Sequence, residues 1–130
     1  MAPLSRLIRL CDYPAMDNSP PLPVEIDVSV VKQMLDRGEK FVLLDCREPA
    51  EVATARIAGS KHIPMREIPG RLAEFASGPS ERVVVHCHHG GRSLRVTQFL
   101  RQQGFTQAQN MTGGIDAWSQ QIDSSVPRYE

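Results

Sequence analysis

Cysteine is scarce in this 130-residue sequence, charge of either sign is in no surplus, and no long apolar run occurs. The three cysteines, Cys11, Cys46 and Cys87, are odd in number and lack paired spacing, which argues against a secreted disulfide framework. A reducing compartment suits them better, and the cytoplasm is the expected location. Lysine plus arginine equals aspartate plus glutamate, 15 against 15, so composition gives no general reason to expect nucleic-acid or membrane binding. The apolar stretches are too short and too interrupted to span a bilayer, and there is no internal repeat. The length suits one domain, large enough to bury a core without disulfides or metals.

Residues 1–23 read as an N-terminal arm and a proline-rich linker, and residues 24–130 as the folded domain. In the arm Leu4, Leu7, Ile8 and Cys11 fall at helical spacing with Arg6 and Arg9 between them, ahead of the first acidic residue, Asp12. This predicts a short helix or arm that packs on the domain or a partner, with an organelle-targeting segment as the alternative. Pro20, Pro21 and Pro23 then fix an extended linker.

Beyond the linker, strand and helix signals alternate. Val24 to Ile26 is a short strand candidate, and Asp27 caps a helix carrying Val28, Val31, Met34 and Leu35, with Gly38 as its stop. Phe41 to Asp45 is an apolar strand, Glu48-Pro49 opens a brief helix towards Arg56, and Lys61 to Ile63 is a short strand. Arg71 to Ala76 predicts a helix entered at Pro69, with Leu72 and Phe75 on its face. Val83 to His86 is a strand, followed by a helix to Gln103, a strand near Asn110-Met111 and a last helix with Ile115, Trp118 and Ile122 on one side. Strands separated by helices, the two best of them apolar throughout, predict an α/β fold: a parallel sheet covered on both faces. Ligands of such sheets bind where loops leave the strand carboxyl ends, so Asp45-Cys46-Arg47 and His86-Cys87-His88 are expected side by side.

The chemistry concentrates in Val83-Val84-Val85-His86-Cys87-His88-His89-Gly90-Gly91-Arg92-Ser93-Leu94, a buried strand that turns into a helix. Gly90 and Gly91 permit backbone conformations that aim successive N–H groups into the loop, and the following helix adds its free N–H groups and positive dipole end. A thiol in this cradle, near the Arg92 guanidinium, ionises below its free value of about 8.5. Cys87 is therefore expected to be a nucleophile, with His88, His89, Gly90, Gly91, Arg92 and Ser93 forming its loop. A plain apolar cysteine closing a strand is the alternative.

The segment His86-Cys87-His88-His89-Gly90-Gly91-Arg92-Ser93 resembles the active loop of single-domain rhodaneses, sulfurtransferases whose loop cysteine carries a persulfide. The likeness runs from about Val24 to Pro127. It includes Asp45-Cys46-Arg47-Glu48, similar to the family's strand-end motif, as well as Ala58-Gly59-Ser60-Lys61-His62-Ile63-Pro64 and Thr112-Gly113-Gly114-Ile115-Asp116-Ala117-Trp118. The sequence departs from the family at Ala55-Arg56-Ile57-Ala58-Gly59, where Gly-His-Ile-Pro-Gly is common, and in lacking a glycine after the last helix. The resemblance implies a three-layer rhodanese-like fold with a central five-stranded parallel sheet. It also implies sulfur transfer from a small anionic donor such as thiosulfate to cyanide, a thiol or a protein through a Cys87 persulfide, without a metal or organic cofactor. Asp45 and Arg47 are implied as supports of the loop.

Several roles stay open at this level. Arg92 either faces the substrate or braces the loop through a salt bridge, and Arg47 either pairs with Glu51 in its own short helix or reaches the substrate. Cys46 reads as a packing residue rather than a second redox centre. No metal site is expected from His86, His88 and His89, because neighbours on a strand and tight turn point in different directions while zinc sites use spaced pairs. Cysteine-dependent phosphatases and arsenate reductases are a second enzyme class. Their pattern sets five residues between cysteine and arginine, whereas four, His88 to Gly91, separate Cys87 from Arg92. A binding module that uses the fold without turnover, or that accepts sulfur only from a partner, is the third reading.

Overall fold

The computed structural model describes residues 20–130. The helix expected around residues 4–11 lies outside them. Five strands, β1 (Glu25–Ile26), β2 (Val42–Asp45), β3 (Lys61–His62), β4 (Val83–His86) and β5 (Ala108–Met111), form one sheet in the order β1-β5-β4-β2-β3. Every neighbouring pair is parallel. The helices are α1 (Val28–Asp36), α2 (Pro49–Thr54), α3 (Gly91–Gln102) and α4 (Gly114–Gln121). Among the described residues no helix is long and apolar enough to cross a membrane.

Side chains alternate across the strands and split the core in two. Leu43, Val84 and Met111 point to one face and meet Val28, Val31 and Met34 of α1 and Ile115 and Trp118 of α4. Leu44, Val83, Val85 and Ala108 point to the other and meet Val96 and Leu100 of α3 with Ile68 and Phe75. Both faces are thus buried, as the apolar strands predict, and the result is a three-layer α/β fold.

Local chemistry sets the element ends. Asp27 caps α1 through its carboxylate, which accepts from Ser29 N at 2.9 Å. At α2, Glu48 and Glu51 exchange side-chain and backbone bonds in a capping box, with Pro49 in the first turn. The helix stops at Thr54, short of Arg56, because Ala55 turns extended and gives its carbonyl to Arg47 Nη2 at 2.7 Å. The helix expected over Arg71–Ala76 is replaced by two 3₁₀ turns, Met65–Gly70 and Leu72–Glu74. Pro69 and Gly70 deny the first turn a continuing α-helix, while Ile68 and Phe75 still reach the core. Of the linker, Pro20 to Pro23 run beside the sheet, where Leu22 N donates to Thr106 O at 3.3 Å and Gln109 Nε2 to Pro23 O at 3.0 Å.

Candidate active site

The register of β2 and β4 brings two distant segments together. Asp45 pairs with His86, and one step on, Cys46 N donates to His86 O at 3.1 Å. Cys46 and Cys87 follow at the carboxyl ends of the two strands, share one buried cluster and are both free thiols.

From Cys87 the chain folds back over its own sulfur. Gly90 N donates to Cys87 Sγ at 3.1 Å and Ser93 N at 3.3 Å. This needs Gly90 at φ 105°, a left-handed conformation in which a side chain is strained, and an added Cβ would lie 3.3 Å from Gly113 N. Ser93 Oγ lies 3.3 Å from Sγ and 2.5 Å from Asn110 Oδ1 of β5. Its one proton serves one of these acceptors at a time. Asn110 is held by its amide, which donates to Glu25 Oε1 at 3.0 Å and Gly90 O at 3.2 Å.

The neighbouring Cys46 thiol and the Ser93 and Gly90 donors hold the Cys87 thiol far below its usual range, down to about 4, against the opposing effect of burial. Cys46 is pushed the other way by the Cys87 thiolate beside it and by burial, so it keeps its proton. Cys46 is buried in the core, as expected of a packing residue, and stands in the same cluster as Cys87. Its Sγ lies 3.5 Å from His86 O as well.

The start of α4 secures the loop from the far side. Ile115 N donates to Cys87 O at 2.9 Å and Asp116 N to His88 O at 3.1 Å. The approach is so close that a Cβ on Gly114, which has φ 63°, would stand 2.4 Å from His88 O. Thr112-Gly113-Gly114 is thus part of the cysteine site, though far from it in sequence.

Two ion pairs flank the loop. Arg47 is fully buried and gripped by Asp45, Nε to Oδ1 at 2.9 Å and Nη2 to Oδ2 at 2.7 Å. Burial opposes the charge on Asp45, but the Arg47 hydrogen bonds together with the charges of His86 and Arg47 keep the carboxyl below its ordinary range. His62, for which the sequence assigns no task, lies 2.6 Å through Nε2 from Arg47 O. The expected Arg47–Glu51 side-chain pair does not form, since Arg47 reaches only the Glu51 carbonyl, at 3.3 Å. The Glu51 carboxylate instead takes Arg92 in two parallel bonds of 2.7 and 2.8 Å, tying the start of α3 to α2. The structure has the bracing orientation of Arg92, with a third of its side chain left exposed beside the loop. Arg92 pulls the Glu51 carboxyl down to about 2.

The histidines divide by burial. His86 is completely buried, bonded through Nε2 to Ser60 Oγ at 3.1 Å, and burial lowers its pKa. His88 is stacked between His89 and Tyr129, with ring centroids 3.9 Å apart on each side. The expectation that neighbouring histidines diverge is wrong for this pair, and with Asp116 they bring three ligand atoms within 4.8 Å of one another. Asp116 is also engaged by Arg128 at 2.9 Å and Gln120 at 2.8 Å. Sequence reasoning missed Asn110 and Tyr129, which carry no motif of their own. The pairing of Glu51 with Arg92 was hidden because the two are 41 positions apart.

Comparison with known proteins agrees with this arrangement. The family profile "Rhodanese-like domain" matches residues 27–121. A protein of Allochromatium vinosum named sulfurtransferase is 40% identical over 96 residues, covering 73% of this chain and 87% of that protein. The Arabidopsis thaliana rhodanese-like/PpiC domain-containing protein 12 is 39% identical over 89 residues, but those span 67% of this chain and only 30% of the plant protein. A crystal structure of a rhodanese-like domain protein from Staphylococcus aureus superposes with a TM-score of 0.69 at 29% identity, covering 83% of this chain and all of that one. With its parallel sheet, its cysteine loop and a profile match over most of its length, this chain belongs to the rhodanese-like domain family.

Proposed function

We propose that this protein is a sulfurtransferase in which Cys87 carries sulfur as a persulfide. The reading is carried by one observation, the backbone N–H groups of Gly90 and Ser93 directed at Cys87 Sγ from within 3.3 Å. Such donors stabilise a thiolate, and the same donors suit the terminal sulfur of a persulfide. In the first half-reaction the Cys87 thiolate attacks the outer sulfur of thiosulfate. The Sγ–S bond forms, the S–S bond to the sulfonate breaks, and sulfite leaves with that electron pair. In the second, cyanide in the assay, or a thiol or a partner protein, attacks the terminal sulfur and the Cys87 thiolate departs. Both half-reactions use the thiolate and the loop amides.

Charge supports an anionic donor. Arg92, a third exposed on its side chain, stands at the loop with the N-terminus of α3, so the developing sulfite meets positive potential. The phosphatase reading gains nothing from the geometry, because the loop is one residue shorter than that pattern requires.

Intact mass measurement before and after thiosulfate tests the proposal. A gain of one sulfur, about 32 Da, is expected; cyanide removes it, and Cys87→Ser never shows it. An adduct that forms only from a persulfidated protein would instead assign a sulfur relay between proteins. No adduct from either source would overturn the sulfurtransferase reading.

A further inference from the structure

The segment after α4 is tied down twice before it reaches the site. Val126 is buried, and its carbonyl accepts from Ser119 Oγ. Arg128 clasps Asp116 of α4 at 2.9 and 3.3 Å. These anchors bring Tyr129, which lies beyond the residues matched by the family profile, against the cysteine loop and α2. Its ring stacks on His88 with the planes 10° apart. Its hydroxyl accepts from Arg47 Nη1 at 2.9 Å and donates to Glu51 Oε2 at 2.8 Å. That polarity is forced, because a guanidinium has nothing to accept with and a carboxylate nothing to donate.

We infer that Tyr129 is a positioning residue of the sulfur-transfer site: by bridging Arg47 and Glu51 it fixes where the Arg92 guanidinium meets an anionic donor. This rests on the sulfurtransferase reading above. The argument is one of competition for a single carboxylate. Glu51 Oε1 accepts from Glu48 N at 3.0 Å and Arg92 Nη1 at 2.7 Å, and Oε2 accepts from Arg92 Nη2 and Tyr129, so every strong acceptor direction is occupied. Arg47 Nη1 has only the long Glu51 carbonyl contact of 3.3 Å besides the phenol. Without the hydroxyl, Arg47 Nη1 is left seeking an acceptor, and Glu51, whose carbonyl it already reaches, carries the carboxylate that holds Arg92. Glu51 then divides between the two guanidiniums and the Arg92 clamp loosens. Burial raises the pKa of the phenol to about 12, so its proton stays available to Glu51. The donors to Cys87 Sγ come from Gly90 and Ser93 and do not involve Tyr129.

The test compares wild type, Tyr129→Phe and Tyr129→Ala in two assays: thiosulfate turnover, and protection of Cys87 by sulfite against alkylation with iodoacetamide. Tyr129→Phe keeps the ring on His88 and removes only the hydroxyl. Its KM for thiosulfate and its sulfite protection constant should rise together, about three- to tenfold, the range set by the net loss of one hydrogen bond of ordinary strength. Its kcat and the pH profile of Cys87 alkylation should not change. Adding Glu51→Gln should raise KM no further than Glu51→Gln alone, because both act through Arg92. Tyr129→Ala also frees His88, so its alkylation profile should move. A wild-type KM and protection constant in Tyr129→Phe overturn the inference, and so does a lowered melting temperature accompanied by equal losses in kcat and kcat/KM. If the wild type gains no sulfur from thiosulfate or from a persulfidated protein, the sulfurtransferase reading fails first, and sulfite protection still reports whether Tyr129 holds an anion site together.

Discussion

A thiol packed among apolar side chains ordinarily keeps its proton; Cys87 loses its proton because identifiable neighbours donate to the sulfur. Foremost is the Cys46 thiol, then Ser93 and Gly90. Alkylation of wild-type Cys87 should stay fast from neutral pH down to near 4 and fall below it. In Cys46→Ala the inflection should move to higher pH, and superimposable profiles for the two proteins would remove Cys46 from the site. Glu51 makes a second prediction with a definite sign. Its folded pKa is lowered from 4.5 to about 2, so its stabilising effect is fully present above about pH 4.5 and is lost as pH falls towards 2. Urea midpoints should drop across that interval, and Glu51→Gln should flatten the drop. The pair is partly exposed, so salt should shrink the effect.

Among the elements, α4 has the least conspicuous part in the site. Its first turn donates to the carbonyls of Cys87 and His88, which requires Gly114 at φ 63° and against the backbone of the loop. Gly114→Ala adds a methyl where two carbonyl oxygens stand within 2.5 Å, so something must shift. We expect a loss of about 2–4 kcal/mol in urea unfolding, from left-handed strain and displaced hydrogen bonds. Sulfur loading at Cys87 should fall as well. An alanine variant with wild-type stability would mean that the turn relaxes without disturbing the loop. The four α-helices were legible from caps, prolines and apolar spacing, whereas the stretch from Met65 to Glu74 was not. There Ile68 and Phe75 follow the core rather than a helical period.

At the scale of the whole molecule, the buried Asp45–Arg47 pair joins the end of β2 to the Ala55 carbonyl after α2 and to Tyr129. A buried charge that loses its partner is costly, so Arg47→Met should destabilise the protein by about 3–5 kcal/mol. Asp45→Asn in the same chain should restore part of that loss, since no bare carboxylate is then left. If the double variant is no more stable than Arg47→Met, the cost comes from the other acceptors of Arg47 and not from Asp45.

The sequence by itself determined the layers of the fold, because continuous apolar strands such as Val83-Val84-Val85 must be covered on both faces and alternating helices supply the cover. It also made the cradle at Cys87 legible, since glycines at a helix start permit the turn and the helix supplies free N–H groups, although α4 and Asn110 hold that turn in place. What only the tertiary structure decided are the partners of the charged and polar side chains: Arg92 with Glu51, Arg47 with Asp45 and Tyr129, Cys46 beside Cys87, and Asn110 at Ser93. These contacts join residues on separate elements. Strand order and register choose them, and the spacing of residues along one chain carries no trace of that choice.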